Sequence, residues 1–220
     1  MNFYIKTFVI SILTLIMFTS CSRKMGSNEN KVITEPNIPY EVQVLKHQEK
    51  LNADYADKSV SILTEEERKK FIEMAGHPFF PIDKKFSIMA DFEAYENPER
   101  IGFKTSTTRI AEYKVYGKAD FTLEGKSFSL LLYQSVKTYP GYEDYLFLPF
   151  TDLTSGAESY GGGRYIDVRI PEDKTKIVID FNLSYHPYCA YTTGYSCPIP
   201  PPENYIDHRI EAGIKHLELK

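Results

Sequence analysis

From Phe86 onward, apolar residues alternate with polar ones, and this period of two constrains the fold more than any other feature. The clearest run is FSIMADF at 86–92, since successive side chains of a β-strand point to opposite faces of a sheet. Residues 124–126, Glu-Gly-Lys, have the composition of a tight hairpin between two such runs. Further strand candidates are 113–116, 121–123, 128–133, 146–150, 165–170 and 176–181.

Two amphipathic helices are predicted before these strands. Apolar residues recur at helical spacing over 40–55. Thr64 and Glu67 form a capping-box pattern that begins a second helix, and Gly76 is expected to end it after Ala75. Because no long helical pattern separates the strands, we predict a mainly β (α+β) fold. Its antiparallel sheet would be closed as a barrel or sandwich, with the two N-terminal helices packed outside or at one end.

The start of the chain has the pattern of a bacterial lipoprotein signal. Lys6 precedes an apolar run at 7–18, which is shorter than the ~20 residues that a membrane-spanning helix needs. The small residues Thr19 and Ser20 follow, directly before Cys21. This order is typical of a signal peptide that is cleaved before a lipidated cysteine.

We therefore expect residues 1–20 to be removed and Cys21 to carry a lipid such as palmitate. The polar segment 21–39 would be a flexible tether, and 40–220 a single domain. The protein is predicted to be a membrane-anchored lipoprotein of the bacterial cell envelope, periplasmic or surface-facing, whose bilayer contact is Cys21. An uncleaved N-terminal anchor helix is the alternative.

The charge balance of the chain argues against nucleic-acid binding. The formal net charge is −4 over 220 residues, and the charges are evenly mixed. Nucleic-acid-binding proteins usually have an excess or a cluster of positive charge, which this sequence does not have. The sequence predicts no cofactor, and it leaves open both the oligomeric state and whether the protein is an enzyme.

Cys189 and Cys197 are the cysteines that remain beside Cys21. In an oxidising compartment, an even pair at short spacing is most simply a disulfide, and we predict that bond. Metal ligation by this pair with His186 is the alternative, with Asp180 or His208 as a fourth ligand.

A Gly-, Arg- and Tyr-rich segment between 151 and 204 is the predicted ligand site, because a tyrosine wall with few polar groups suits a small molecule or saccharide. We expect the guanidinium of Arg164 to point into a cavity beside a tyrosine and a carboxylate. The candidate ligand-binding residues are Glu158, Tyr160, Arg164, Tyr165, Asp167, Asp180, Asn182, Glu203 and Asn204.

Other interpretations of this segment stay open on sequence alone. Gly161-Gly162-Gly163 is either an anion cradle or a turn that allows close backbone packing. Ser159 lies near a nucleophile-elbow pattern but lacks the following helix. The site could also serve a carboxylate-dependent hydrolase, or the chain could be a structural or interaction lipoprotein without a pocket.

Several short sequence motifs between Tyr40 and Lys215 are informative when they are taken together. They include FFPID at 79–83, GKADFTLEGKSF at 117–128, PFTD at 149–152, YGGGRYID at 160–167, DFN at 180–182, PYCAY at 187–191 and CP at 197–198. In this order they resemble the DUF1684 family of uncharacterised proteins. The resemblance implies a single domain over most of the chain and no assigned activity.

Overall fold

The computed structural model of the protein describes residues 38–219. The predicted signal peptide, Cys21 and nearly all of the predicted tether lie outside the described residues. Within the described part, no helix has the length and apolar character needed to cross a membrane.

Both predicted helices are present. Helix α1 spans Tyr40–Ala56 and helix α2 spans Glu65–Glu73. The capping box at the start of α2 is confirmed, because the Glu67 amide donates to Thr64 Oγ1 at 3.2 Å and the Thr64 amide donates to Glu67 Oε2 at 2.8 Å. These two bonds satisfy backbone donors that an α-helix leaves without a partner in its first turn.

Within residues 38–219, eight strands form the sheet. They are β1 (Ser87–Ala94), β2 (Arg100–Lys104), β3 (Ile110–Leu123), β4 (Lys126–Ser135), β5 (Tyr145–Asp152), β6 (Arg164–Arg169), β7 (Lys176–Asp180) and β8 (Tyr205–Ile206). The order along the sheet is β6-β5-β4-β3-β1-β7, with β2 beside β3 and β8 beside β5. All pairings are antiparallel except that of β5 with β8. The short strands β2 and β8 were not predicted.

The mainly β, antiparallel fold is therefore confirmed, and the sheet curls into a half-barrel. Strands β6 and β7 end the pairing order, so the predicted closure of the barrel is not observed. The backbone of Tyr165 in β6 pairs instead with Tyr185, through bonds of 2.8 and 3.0 Å. This return segment satisfies edge groups of β6 that a closing strand would have used.

The hairpin between β3 and β4 forms where it was predicted. Its two turn residues, Glu124 and Gly125, have φ values of 49° and 82°. Two successive positive φ values are typical of the hairpin turns whose twist matches that of the strands.

Both faces of the sheet are apolar. The main core contains Phe150, Ile166 and Val168, whereas Tyr165 packs on the opposite face with Phe147. This is the alternation expected of neighbouring strand residues. A third cluster joins α1 and α2 to residues 190–191 and 214–219.

A β-bulge changes which face β3 presents to the main core. The register of β3 against β4 shifts between Val115 and Gly117. Val115 packs on the tyrosine side, while Ala119 and Phe121 lie in the main core although their spacing from Val115 is even. An extra residue in one strand reverses the alternation beyond it.

Candidate ligand pocket

A cavity of about 280 Å³ opens on the tyrosine side of the sheet. We call it the tyrosine pocket. Its lining residues are Tyr113, Tyr145, Phe147, Tyr165, Tyr185, His186, Pro187, Tyr188, Tyr195, Ser196, Cys197 and Pro198. Six of these twelve residues are tyrosines, so the wall is aromatic with hydroxyl groups at its edges.

Strands β3, β5 and β6 provide the floor of the tyrosine pocket. The Phe147 ring lies 4.7 Å from the Tyr165 ring and 5.4 Å from the Tyr113 ring, centroid to centroid. Tyr165 meets the Tyr185 ring edge-on at 5.9 Å. These separations are those of favourable aromatic pairs, so the floor is held by its own packing.

Asp167 anchors two of the tyrosines. The hydroxyls of Tyr145 and Tyr185 both donate to Asp167 Oδ1, at 2.7 and 2.5 Å. Burial, and then the negative charge of Asp167, raise the pKa of both hydroxyls well above the ordinary value. Both tyrosines are therefore protonated donors at neutral pH, and their rings are fixed in orientation.

Other polar groups of the tyrosine pocket are available to a ligand. The hydroxyls of Tyr113, Tyr188 and Tyr195 make no hydrogen bond to another residue in the described part of the chain. Arg109, an exposed residue, donates to Ser196 Oγ at 2.9 Å and to the Ser196 carbonyl at 2.6 Å. The pocket thus offers hydroxyls on its wall and a cation beside Ser196.

Arg164 does not lie in a cavity with the predicted partners, and that expectation is corrected. It precedes Tyr165 on β6 and therefore points to the opposite face, where its side chain is fully buried. Its guanidinium donates to Asp152 Oδ1 at 3.0 Å, to the Ile210 carbonyl at 2.9 Å and to the Ala212 carbonyl at 2.5 Å. These bonds connect β5 and β6 to the C-terminal segment.

Three predicted amide and carboxylate residues hold segments of the chain together. Asp180 accepts from the Tyr40 hydroxyl at 2.9 Å and from the Asn182 backbone amide at 3.0 Å. Asn182 donates to the Asp83 carbonyl at 3.0 Å and accepts from the Asp83 amide at 3.1 Å. Asn204 is buried between β4 and β5 and donates to the Pro149 carbonyl at 2.7 Å. Each of these hydrogen bonds gives a buried polar group the partner that water would provide at the surface.

The remaining predicted residues lie apart from the tyrosine pocket. Glu203 is exposed. Glu158 forms an ion pair with Arg209 at 2.5 Å, and the Tyr160 amide donates to His186 Nε2 at 3.1 Å. Of the nine predicted ligand-binding residues, Tyr165 alone is among the described lining residues of the pocket, and Asp167 lies next to that lining as the acceptor of the Tyr145 and Tyr185 hydroxyls. Ligand binding at these two residues stays a prediction.

The Gly-rich run forms a tight turn with close backbone packing. Gly163 has φ 83°, and its amide donates to the Tyr160 carbonyl at 3.0 Å. A Cβ atom at Gly163 would lie 2.5 Å from the Phe150 carbonyl oxygen. This close approach explains why glycine is required at that position. Ser159 is also occupied, because its hydroxyl bonds to the Thr154 hydroxyl at 2.9 Å.

The sulfurs of Cys189 and Cys197 lie at disulfide distance, with Cα atoms 6.4 Å apart. This separation is in the range of natural disulfides. His186 Nδ1 bonds to the Tyr191 hydroxyl at 2.8 Å, and burial lowers the pKa of His186 well below its ordinary value. Among the described residues, no group of three or more His, Cys, Asp or Glu side chains could hold a metal ion.

Sequence reasoning missed most of the wall. The unpredicted tyrosines are Tyr113, Tyr145, Tyr185, Tyr188 and Tyr195. A usable signal was the alternation itself, since Tyr145 and Phe147 on β5 share a face, as Tyr165 and Asp167 do on β6. That these faces meet could not be derived without the pairing of the strands.

Comparison with known proteins decides the family. A family model described as a protein of unknown function, DUF1684, matches residues 72–215. This chain belongs to the DUF1684 family. No curated protein matches it. The DUF1684 chain is similar to an uncharacterised protein of Haloarcula marismortui, solved in solution by NMR. The identity is 31%, the TM-score is 0.62, and the match covers 80% of this chain and 94% of the other.

Proposed function

We propose that this DUF1684 protein binds a small, hydroxylated ring compound, such as one saccharide unit, in the tyrosine pocket. The observation that carries the proposal is the clustering of six tyrosines around one cavity of about 280 Å³. Aromatic faces with a few placed polar groups are the usual lining of small-molecule sites. Tyrosine offers both, a flat apolar face and a hydroxyl that donates and accepts.

The size and polarity of the tyrosine pocket support a small ligand. A volume of about 280 Å³ lies just below the ~300 Å³ at which the usual range for ligand sites begins. One ring fits such a volume better than a chain of rings. The hydroxyls of Tyr113, Tyr188 and Tyr195, with the nearby Arg109, would meet ligand hydroxyls at several points.

Binding is favoured over the hydrolase alternative. Carboxylate-dependent hydrolysis needs an acid and a base or nucleophile facing the substrate. None of the twelve described lining residues is Asp or Glu. Glu158 is paired with Arg209, and Asp180 accepts from Tyr40. Glu158 and Asp180 are thus held by residues outside the pocket, and Asp167, the carboxylate nearest the lining, already accepts from the Tyr145 and Tyr185 hydroxyls.

Two variants test the proposal. Tyr113→Phe and Tyr195→Phe each keep the ring and remove one available hydroxyl. We expect each variant to bind the saccharide about 3- to 10-fold more weakly, which corresponds to the net free energy of one lost hydrogen bond. Binding would be measured by saturation-transfer NMR with a panel of monosaccharides and their methyl glycosides. Native mass spectrometry of the purified full chain would identify any co-purified ligand.

The matched control is Tyr116→Phe, because Tyr116 packs against the main core on the other side of the sheet. It should bind like the unaltered protein. If none of the saccharides binds and no small molecule co-purifies, the interpretation as a structural or interaction protein replaces this proposal. Equal affinity of all three variants would contradict the assignment to the tyrosine pocket.

We also propose that the protein is exported and held at a bilayer through a lipid on Cys21. The support is the sequence order of Lys6, the apolar run 7–18 and the small residues before Cys21. Such a tethered domain would bind its ligand at the membrane surface of the cell envelope.

A further inference from the structure

One short segment provides half of the wall of the tyrosine pocket. We call residues 187–198 the strap. Six of the twelve lining residues belong to it, and they are Pro187, Tyr188, Tyr195, Ser196, Cys197 and Pro198. The shape of the pocket therefore depends on what holds the strap in place.

The strap has two legs, and the first leg, residues 187–192, is attached to the rest of the molecule through Tyr191. Residues Tyr188–Ala190 form a single 3₁₀ turn. The Tyr191 side chain is fully buried and its hydroxyl bonds to His186 Nδ1 at 2.8 Å. Its ring also packs against Tyr55 of α1 at 5.4 Å. This leg stays fixed by burial, whatever happens to the second leg.

The second leg is attached to the end of β2. The Cys197 carbonyl accepts from the Ser106 amide at 2.9 Å, and the Ile199 amide donates to the Lys104 carbonyl at 2.8 Å. Arg109 adds its two bonds to Ser196. Each leg is thus held by a different part of the molecule.

The cysteine pair is the main link between the two legs. Over the described residues, no backbone-to-backbone hydrogen bond joins 187–192 to 195–199. The Tyr188 and Tyr195 rings meet edge-on at 5.0 Å. The residues between the legs, Thr193 and Gly194, are exposed, as is Tyr195. Without the covalent link, the Tyr195 ring would be held beside Tyr188 by weaker noncovalent contacts, such as those of the Ser106 hydroxyl with Cys189 Sγ at 3.0 Å and with the Tyr195 carbonyl at 3.3 Å.

We propose that the Cys189–Cys197 disulfide is a redox-sensitive lock on the tyrosine pocket. Both cysteines are partly exposed, so a dithiol reductant can reach them. A thiolate of the dithiol attacks one sulfur and forms a mixed disulfide, and its second thiol then releases the protein. Two electrons and two protons pass to the protein, which gains two thiols while the dithiol becomes a cyclic disulfide.

Reduction removes the covalent connection between the two legs, so the Tyr195 side of the strap is then held by noncovalent contacts and opens more readily, while the sheet stays intact. The floor residues Tyr113, Phe147 and Tyr165 keep their ring packing because these ring contacts lie within the floor, while the Tyr165 hydroxyl donates to the Pro198 carbonyl of the strap. The open form has lost one aromatic wall and binds the ligand of the tyrosine pocket more weakly. This consequence for binding rests on the proposed function.

Hydrogen exchange tests the lock directly. The full chain would carry Cys21→Ala so that only Cys189 and Cys197 can exchange thiols. With dithiothreitol, we expect amides of 193–197 to exchange about tenfold faster or more, as a local loss of constraint predicts, whereas amides of 190–192 in the fixed first leg keep their rates. Amides of β5 and β6 should keep their protection. The double variant Cys189→Ala/Cys197→Ala should show the fast rates with and without the reductant.

Two results would overturn the lock. One is unchanged exchange in the strap after thiol counting proves full reduction. The other is loss of protection throughout the sheet, which would make the disulfide a support of the whole fold. Binding of methyl glucoside to both forms, followed by NMR, separates the two proposals. Equal affinity removes redox control of binding, whereas an opened strap with no binding in either form contradicts the saccharide proposal alone.

Discussion

On β6, neighbouring residues have different environments. Arg164 is completely enclosed by protein and pairs with Asp152, whose side chain is also fully buried. Tyr165 lines the tyrosine pocket on the other face. Burial lowers the pKa of Arg164, and the charge of Asp152 opposes this effect. A buried ion pair of this kind stabilises the fold only when hydrogen bonds satisfy both charged groups, because neither group has access to water.

Removal of the Arg164 guanidinium should destabilise the fold. We expect Arg164→Ala to lower the free energy of unfolding by about 3–5 kcal/mol, since Asp152 is left as a buried charge without its partner. Arg164→Lys should also be destabilising, because one ammonium cannot reach Asp152 and both carbonyls in the geometry of the guanidinium fork. Urea unfolding followed by circular dichroism measures both variants.

Arg209→Ala is the matched control for Arg164→Ala, because Arg209 pairs with Glu158 at an exposed position. Its loss should leave the urea midpoint nearly unchanged. A stable Arg164→Ala protein with weaker saccharide binding would contradict the structural role and restore the site predicted from the sequence.

At the scale of elements, the turn before β6 depends on one glycine. We expect Gly163→Ala to cost about 3 kcal/mol of unfolding free energy, because a positive φ and overpacking both oppose the new Cβ. That atom would lie 2.7 Å from Pro200 Cγ. Gly194→Ala is the control, since Gly194 has φ 88° but no atom within 4 Å of an added Cβ. It should cost only about 1 kcal/mol. Equal losses would contradict the close-packing argument.

The two helices pack around a buried histidine. The His77 ring lies 4.5 Å from the Tyr55 ring of α1 and 4.7 Å from the Phe71 ring of α2. Neither of its ring nitrogens has a hydrogen-bond partner among the described residues. Burial lowers the pKa of His77 from its ordinary value of 6.5 to about 3. The folded protein thus contains this imidazole in its neutral form.

Stability should fall as the pH is lowered below about 6.5. Above that pH both folded and unfolded states hold neutral His77, and the stability is complete. Below it only the unfolded state takes up the proton, so the loss approaches ~1.4 kcal/mol per pH unit. Urea unfolding at several pH values measures this slope. His77→Phe should reduce it, and an unchanged slope in that variant would contradict the assignment.

At the scale of the whole molecule, the expected arrangement is a ligand-binding domain on a lipid tether. Cys21→Ala should abolish lipid labelling and release the protein from membranes, because no other acylated residue is predicted. Fractionation of cells and mass spectrometry of the N-terminus measure both effects. The double variant Cys189→Ala/Cys197→Ala should keep its lipid. Unchanged membrane retention with an intact N-terminus would support the uncleaved anchor helix instead.

Local features of the fold were predictable because they depend on neighbours in the chain. The capping box of Thr64 and Glu67 is an interaction over three residues, and the turn at Glu124-Gly125 follows from positive φ values that few residue types accept. The cysteine pair at 189 and 197 was also predictable, since a short loop keeps its ends close.

The sequence by itself determined the mainly β class, both helices and the DUF1684 family. Only the tertiary structure decided which groups form the candidate site. Alternation places Arg164 and Tyr165 on opposite faces of β6, but it does not tell which face meets Asp152 and which meets the strap. That choice depends on strand order, on the bulge after Val115 and on the return of the chain beside β6. These are contacts between distant residues, and their free energies are not contained in any local pattern.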